Sequence, residues 1–252
     1  MYTKSSGNIR LRRGAAAIVI PANRERRIAS LLDGLPWEHG QVVIGGYAIA
    51  AYGPARYSID LDIVVSSTTL GVVLKWLEAQ GFGIKKLSFG NPDDETGIIR
   101  ASDGLATVDI LSGSVVDRDA KVKIRDNWIA ANPRMTRLVM LSCSTRNAIP
   151  VARPEAMWAL KLQSGRDQDL SDLFAINDYE VNISEITALF RELMTVNLAK
   201  KLISVGRKLN DTRLFEDSIS RLGRGSPSDK KNKTAWADFV NRAGRIIAGS
   251  LR

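Results

Sequence analysis

The chain is poor in the residues that make covalent or metal cross-links: 252 residues contain one cysteine, Cys143, and one histidine, His39. A single thiol excludes an internal disulfide framework. One histidine with no second His or Cys excludes a zinc site built on those ligands. His39 lies in the turn-like Pro36-Trp37-Glu38-His39-Gly40 with no serine nearby for a triad, so it reads as structural or merely exposed. Cys143 ends the β-like apolar run Val139-Met140-Leu141-Ser142-Cys143 and reads as a small core residue rather than a nucleophile.

Long apolar runs are missing as well. Nothing approaches the roughly 18 consecutive apolar residues needed to cross a bilayer. The basic stretch Lys4 to Arg13, followed by Ala15 to Ile20, has the outline of a secretion leader. Its apolar part is six residues, below the roughly 7–15 of a leader core, and no cleavage pattern follows Pro21. A cytoplasmic location without a membrane partner is expected. Acidic residues are in deficit, 27 Asp+Glu against 36 Lys+Arg, for a net charge of +9. That balance favours polyanionic partners such as RNA, DNA or nucleotides and says nothing of fold. Hydrophobic content of 44% and aromatic content of 6% are ordinary, and the length allows one large domain or two modest ones.

The informative stretch is Val42 to Val65, V-V-I-G-G-Y-A-I-A-A-Y-G-P-A-R-Y-S-I-D-L-D-I-V-V. Gly45 and Gly46 stand at a strand-to-helix turn, where missing Cβ atoms let the backbone turn sharply and a ligand approach. The helix they open would present unpaired N–H groups to phosphate. Ile59 to Val65 reads as a strand, which places Asp60 and Asp62 on one face and Leu61 and Ile63 on the other. Two neighbouring carboxylates repel unless a cation lies between them, and hard Mg²⁺ suits them. A glycine pair or a D-x-D alone is common. Their order, with thirteen residues between Gly46 and Asp60 and apolar neighbours around the acids, favours a site for metal-assisted chemistry on a nucleoside triphosphate.

This stretch resembles the first motif of the nucleotidyltransferase superfamily typified by DNA polymerase β, h-G-[GS] followed by D-h-[DE]-h. Arg56-x-Ser58-x-Asp60-x-Asp62 is similar to the R-x-[ST]-x-D-x-D wording of its AbiEii-like and minimal branches. The resemblance implies that Asp60 and Asp62 bind catalytic Mg²⁺ or Mn²⁺ and that a third acid on a neighbouring strand joins them. Asp109, in the β-rich Ala106-Thr107-Val108-Asp109-Ile110-Leu111, is the candidate. Asp103, in Ser102-Asp103-Gly104, is better explained as turn chemistry. A second match covers Ala148 to Leu173, similar to the segment after the catalytic domain in AbiEii-like proteins, with K-L-x-[AS]-x-R and then D-L-x-D-L. Here these are Lys161 with Arg166, and Asp169 with Asp172. Lys161 and Arg166 are cations that could meet triphosphate charge. For Asp172 a solvated, salt-bridged helix is nearly as good an account. The resemblance spans about residues 22 to 180. It departs at Tyr47, where a small or hydroxylated residue is usual, and residues 115–136 and those after about 195 match nothing.

The pattern predicts an α/β (α+β) class: a mixed sheet with flanking helices, then a helical region. The expected units are a catalytic domain over 1–150, a helical domain over 151–222, and a basic linker with a terminal amphipathic helix over 223–252. A helix capped by Asn23 runs to Leu32. Strands are expected at 41–44, 58–65, 83–88, 96–101, 105–111 and 137–143, with helices at 46–52, 68–80, 117–131, 154–164, 168–178, 183–194 and 196–209. Residues 223–234 read as a flexible linker, and Thr234 as the cap of a last helix that docks on the protein itself or on a partner.

Together these imply nucleotidyl transfer. Gly45, Gly46, Arg56, Ser58, Lys161 and Arg166 would bind the nucleotide, and Asp60, Asp62 and Asp109 would bind metal and act in catalysis. RNA is a candidate acceptor, and an AbiEii-type toxin with an antitoxin protein as partner is a candidate role. Two other readings stay open: a non-catalytic antitoxin or regulator on the same fold, and a basic nucleic-acid-binding module with vestigial acids.

Overall fold

The computed structural model describes residues 7–38, 40–87, 98–117 and 119–252, with side chains from residue 21 onward. His39, and the side chains of the leader-like run before Pro21, lie outside the described residues. The first helix, α1 (Gly7–Gly34), continues through Pro21. Asn23 is therefore inside the helix and not its cap; its Oδ1 accepts a bond from Arg26 instead.

After α1 come β1 (Val42–Ile44), the single turn α2 (Gly45–Ala48) with a 3₁₀ turn over Ile49–Ala51, and β2 (Leu61–Val65). Next are α3 (Leu70–Ala79), β3 (Gly83–Leu87), β4 (Ile98–Ser102) and β5 (Thr107–Ser112). A hairpin of β6 (Ser114–Val116) and β7 (Lys123–Arg125) leads to the one-turn α4 (Asp126–Ile129), then β8 (Arg134–Thr136) and β9 (Ile149–Val151). Seven strands form one mixed sheet in the order β3-β4-β5-β2-β1-β9-β8. Strands β2 and β5 run parallel at its centre, as do β1 and β9, and the other pairs are antiparallel.

The central strands separate the two faces of the sheet by alternation. Leu61, Ile63 and Val108 lie against Leu31 and Leu32 of α1, Leu35 just after it, and Trp76 and Leu77 of α3. Burying each such aliphatic side chain contributes about 1.5–3 kcal/mol. The next residues along these strands, Asp62 and Asp109, therefore stand on the opposite face.

Six helices follow: α5 (Pro154–Ser164), α6 (Asp167–Ala175), α7 (Ile183–Glu192), α8 (Val196–Lys208), α9 (Thr212–Arg221) and α10 (Lys230–Ser250). Pro154 at the first turn starts α5, and Gly165, left-handed at φ 63°, ends it. An aromatic cluster of Trp158, Phe174, Phe215, Trp236 and Phe239 joins α5, α6, α9 and α10. The amphipathic face of α10 docks on the protein itself, with Phe239, Ala243 and Ile246 fully buried.

Three of the expected elements differ, and one helix is additional. The helix over 117–131 is the β6–β7 hairpin and α4, because Asp117 Oδ1 accepts bonds from the amides of Asp119 and Ala120, and Lys121 takes φ 56°, which no helix tolerates. The strand over 137–143 is a loop that doubles back, with Thr145 bonding Leu138 and Met140 bonding Cys143; the strand lies earlier, at β8. Helix α9, absent from the expectation, is capped by Asp211. Helix α10 begins at Lys230, capped by Asp229 rather than Thr234, which shortens the expected linker.

Candidate active site

The site grows out of two neighbouring strands. In the parallel β2–β5 pair Asp62 lies directly opposite Asp109, and in the antiparallel β4–β5 pair Arg100 lies opposite Asp109. Residues in register share a face, so one row across the sheet reads Arg100, Asp109, Asp62. Asp60 does not belong to the strand, which starts at Leu61; the preceding Ile59 is 76% exposed, and the chain bends there. Asp60 nonetheless lines the same cavity as Asp62 and Asp109, so the structure brings the three expected acids together.

The glycine turn lies against them. Gly45 has φ 69°, and a Cβ there would stand 2.0 Å from Oδ2 of Asp62. Glycine is therefore required twice, by backbone and by contact. A Cβ on Gly46 would stand 2.4 Å from Ser58 Oγ. Ser58 packs behind the turn, and it does not line the acidic cavity. Tyr47 is buried beneath the turn, where its hydroxyl donates to the Ser58 carbonyl at 3.3 Å. Its bulk is absorbed by the core and does not intrude on the glycine pair.

The cavity has a volume of about 500 Å³, within the range of small-molecule sites. Gly45, Met157, Leu160 and Gln163 contribute to its walls, together with six aspartates and four basic side chains. The carboxylates outnumber the cations inside a chain whose net charge is +9. Asp62 registers the crowding: burial, then repulsion from Asp60 and Asp109, raise its pKa from 3.8 to about 7. Lys161 and Arg166 pull the other way and are outweighed.

Lys161 reaches the cavity from α5 and is 5% exposed. Its Nζ donates to Asp169 at 2.9 Å and Asp172 at 2.7 Å, which uses two of its three N–H groups. Asp169 also accepts from Ser164 at 2.6 Å and from Arg166 at 2.6 Å. Asp172 takes the bidentate fork of Arg56, both bonds 2.7 Å. Burial pushes both carboxyls up, but these cations win and hold both below the usual carboxylate value. The result is a ladder, Arg56–Asp172–Lys161–Asp169–Arg166, with three positive and two negative members. Lys161 and Arg166 line the cavity, whereas Arg56 faces Asp172 and not the three acids.

Arg100 is the residue that sequence reasoning missed. Its Nε and Nη2 bond Asp109 at 2.7 and 2.6 Å, and Nη2 lies 3.8 Å from Asp60. The motif resemblance has no arginine at this place, and strand register cannot be read from one sequence. Lys201 was missed as well; it lines the far end of the cavity, bonded to Asp117 at 2.6 Å and Asp119 at 3.1 Å. Asp103, read as turn chemistry, accepts bonds from the amides of Leu105 and Ala106 and pairs with Arg27.

Three carboxylates suit a hard divalent cation, and the raised pKa of Asp62 marks negative charge awaiting a partner. Against a ready-made centre, Arg100 already closes Asp109, and no three His, Cys, Asp or Glu among the described residues stand grouped as a metal centre. No helix among the described residues is long and apolar enough to cross a membrane.

No family model matches the chain, and no curated protein does. Among solved structures, JHP933 from Helicobacter pylori is similar at 14% identity and TM-score 0.40, over 91% of this chain and 92% of that one. A second H. pylori protein, titled "putative nucleotidyltransferase", is similar at 16% identity and TM-score 0.39, over 92% and 96% of the two chains. ANT(2")-Ia in complex with adenylyl-2"-tobramycin is similar at 16% identity and TM-score 0.30, over 88% and 94%. Likenesses this distant carry no chemistry across, so the functional reading rests on the site itself.

Proposed function

We propose that this chain is a metal-dependent nucleotidyltransferase that moves a nucleoside monophosphate from a triphosphate to an acceptor. The observation that carries the reading is the convergence of Asp60, Asp62 and Asp109 on one cavity, with Gly45 packed against Asp62 so closely that no side chain fits between them. A structural role accounts poorly for three acids on one cavity with one of them raised to about 7.

Asp60, Asp62 and Asp109 would hold Mg²⁺ or Mn²⁺, which when bound neutralises the acids and polarises the triphosphate. Backbone N–H groups at Gly45 and Gly46 would bind phosphate oxygens; Gly45 lines the cavity, whereas Gly46 is buried against Ser58. The acceptor oxygen attacks the α-phosphorus, the bond to the β-phosphate oxygen breaks, and pyrophosphate leaves. Asp109 takes the acceptor's proton. The free N–H of Lys161, with Arg166 beside it, offsets charge on the departing pyrophosphate. Positioning and electrostatics supply most of the rate gain. RNA as acceptor, and an AbiEii-type toxin paired with an antitoxin, are the finer form of this proposal; the net charge of +9 supports a polyanionic acceptor.

A non-catalytic reading has one observation in its favour, the Arg100–Asp109 pair that already neutralises the third acid. Incubation with α-labelled nucleoside triphosphates and total RNA, with Mg²⁺ or chelator, separates the two. Label transfer that needs Mg²⁺ and is lost in Asp60→Asn and Asp62→Asn supports the enzyme. A folded parent that binds nucleotide yet transfers none to RNA, protein or small acceptors supports the regulator.

A further inference from the structure

We propose that Arg100 is an internal counter-cation that closes the site until nucleotide and metal arrive together, a reading that rests on the nucleotidyltransferase assignment. Three observations carry it. The guanidinium fork occupies both oxygens of Asp109, at 2.7 and 2.6 Å, so the third acid has no oxygen free of a charged partner. The same group lies 3.8 Å from Asp60, so one cation serves two of the three acids. The Arg100 side chain is 43% exposed while the Asp109 side chain is 7% exposed, so the arginine can leave toward open space and the carboxylate cannot follow.

A lone divalent cation must displace a bidentate guanidinium from Asp109, and it leaves the arginine with only water. A cation arriving with a triphosphate gives the displaced fork a new bidentate partner in the phosphate oxygens, which match its geometry as the carboxylate does. Arg100 lines the same cavity as Gly45 and Lys161, within the space that the phosphates would enter. Metal binding and nucleotide binding are thereby coupled through one side chain, and the site resists loading with metal alone.

Titration with Mn²⁺, followed by electron paramagnetic resonance of the free ion and by calorimetry, tests this on the full chain. Arg100→Ala and Arg100→Lys are compared with the parent, alone and with α,β-methylene-ATP. The expected result is that both variants bind Mn²⁺ alone at least about tenfold more tightly than the parent, a difference of about 1.4 kcal/mol. The lysine decides the cause, since it keeps the charge and loses the fork. If Arg100→Lys binds Mn²⁺ as the parent does while Arg100→Ala binds more tightly, net charge alone is responsible and the closure is refuted. The nucleotide analogue should improve Mn²⁺ affinity more in the parent than in Arg100→Ala. An equal improvement refutes the coupling. A parent that binds Mn²⁺ with both variants unchanged overturns the role of Arg100 and leaves the enzyme reading standing. Mn²⁺ binding by neither parent nor variants sinks both.

Discussion

Asp62 ties the chemistry of the site to the stability of the fold, and the link can be measured without a substrate. Its pKa is raised from 3.8 to about 7 by burial and by the neighbouring carboxylates Asp60 and Asp109. A carboxyl raised in the folded state binds its proton more tightly there than in the unfolded chain. Folding is thus favoured at low pH, and this stability is lost as pH climbs from about 4 to about 7, levelling off above that. A difference of this size corresponds to about 4 kcal/mol at pH 8. For a chain of this length, 1 kcal/mol moves the melting temperature by about 2–4 °C. Asp62→Asn should therefore melt about 8–16 °C above the parent at pH 8 and close to it near pH 4. Part of the parent's loss should return when Mg²⁺ is added with a non-hydrolysable triphosphate, and less with Mg²⁺ alone, because the ion binds only the charged carboxylate. Melts by circular dichroism at half-unit pH steps decide. A parent whose melting temperature is flat between pH 4.5 and 7.5, or an asparagine variant less stable than the parent at pH 8, would refute the reading of Asp62 as a strained carboxylate.

Other perturbations have equally definite outcomes. Lys161→Met removes the ammonium shared by buried Asp169 and Asp172, which keep only Arg166 and Arg56 as cations, and should cost up to about 3–5 kcal/mol of unfolding free energy in urea; a loss under 1 kcal/mol would show the outer arginines to suffice. Gly45→Ala should abolish nucleotide-dependent stabilisation while the variant stays folded, since the added methyl displaces Asp62; retained stabilisation in a thermal shift assay contradicts the packing of the turn. Phe239→Ala should cost about 3–5 kcal/mol, because its ring is fully buried among Trp158, Phe174 and Trp236; near-neutral melting would mean that α10 is not docked in solution.

Much of this molecule is written in local patterns. Gly45-Gly46, then Asp60-x-Asp62, fixed a turn and an acidic strand start because glycine geometry and strand alternation act over a few residues. Asp109 was identifiable by its apolar neighbours, and helices α5, α7 and α8 by their caps and apolar periodicity. What stayed hidden depends on register and on distant partners. Arg100 is an unremarked basic residue in Ile98-Ile99-Arg100-Ala101-Ser102 until the β4–β5 pairing sets it opposite Asp109. Arg56 looked like a phosphate ligand, yet its fork is turned onto a carboxylate 116 residues away. The hairpin over 114–125 escaped because its turn is made by the Asp117 side chain and a left-handed Lys121, a conformation that few lysines adopt.

The ladder from Arg56 to Arg166 ties the helical region to the segment that leads into Asp60. Three aspartates on one cavity need positive potential nearby, and Arg100 supplies part of it by direct contact with Asp109. Lys161 supplies more at one remove. Two buried carboxylates hold its ammonium in place, and those carboxylates are themselves neutralised from outside by Arg56 and Arg166. The ladder keeps one net positive charge beside the acids without letting any member collapse onto them. Arg56 belongs to the segment that leads into Asp60, whereas Asp172 belongs to α6, so the bond between them fixes the helices to the segment that leads into the acids. Breaking it by Asp172→Asn should therefore do two things at once. It leaves Arg56 without its fork partner and lowers stability, by less than a fully buried half-broken pair because the Arg56 side chain is 30% exposed and can be hydrated. It also loosens Lys161, which keeps Asp169 as its partner, toward the acid cluster, where a nearer ammonium favours the charged form of Asp62 and lowers its pKa. The pH dependence of melting between pH 4 and 7 should then be shallower than in the parent, although the protein is less stable throughout. An unchanged slope would show that the ladder supports the fold and has no electrostatic hold on the site.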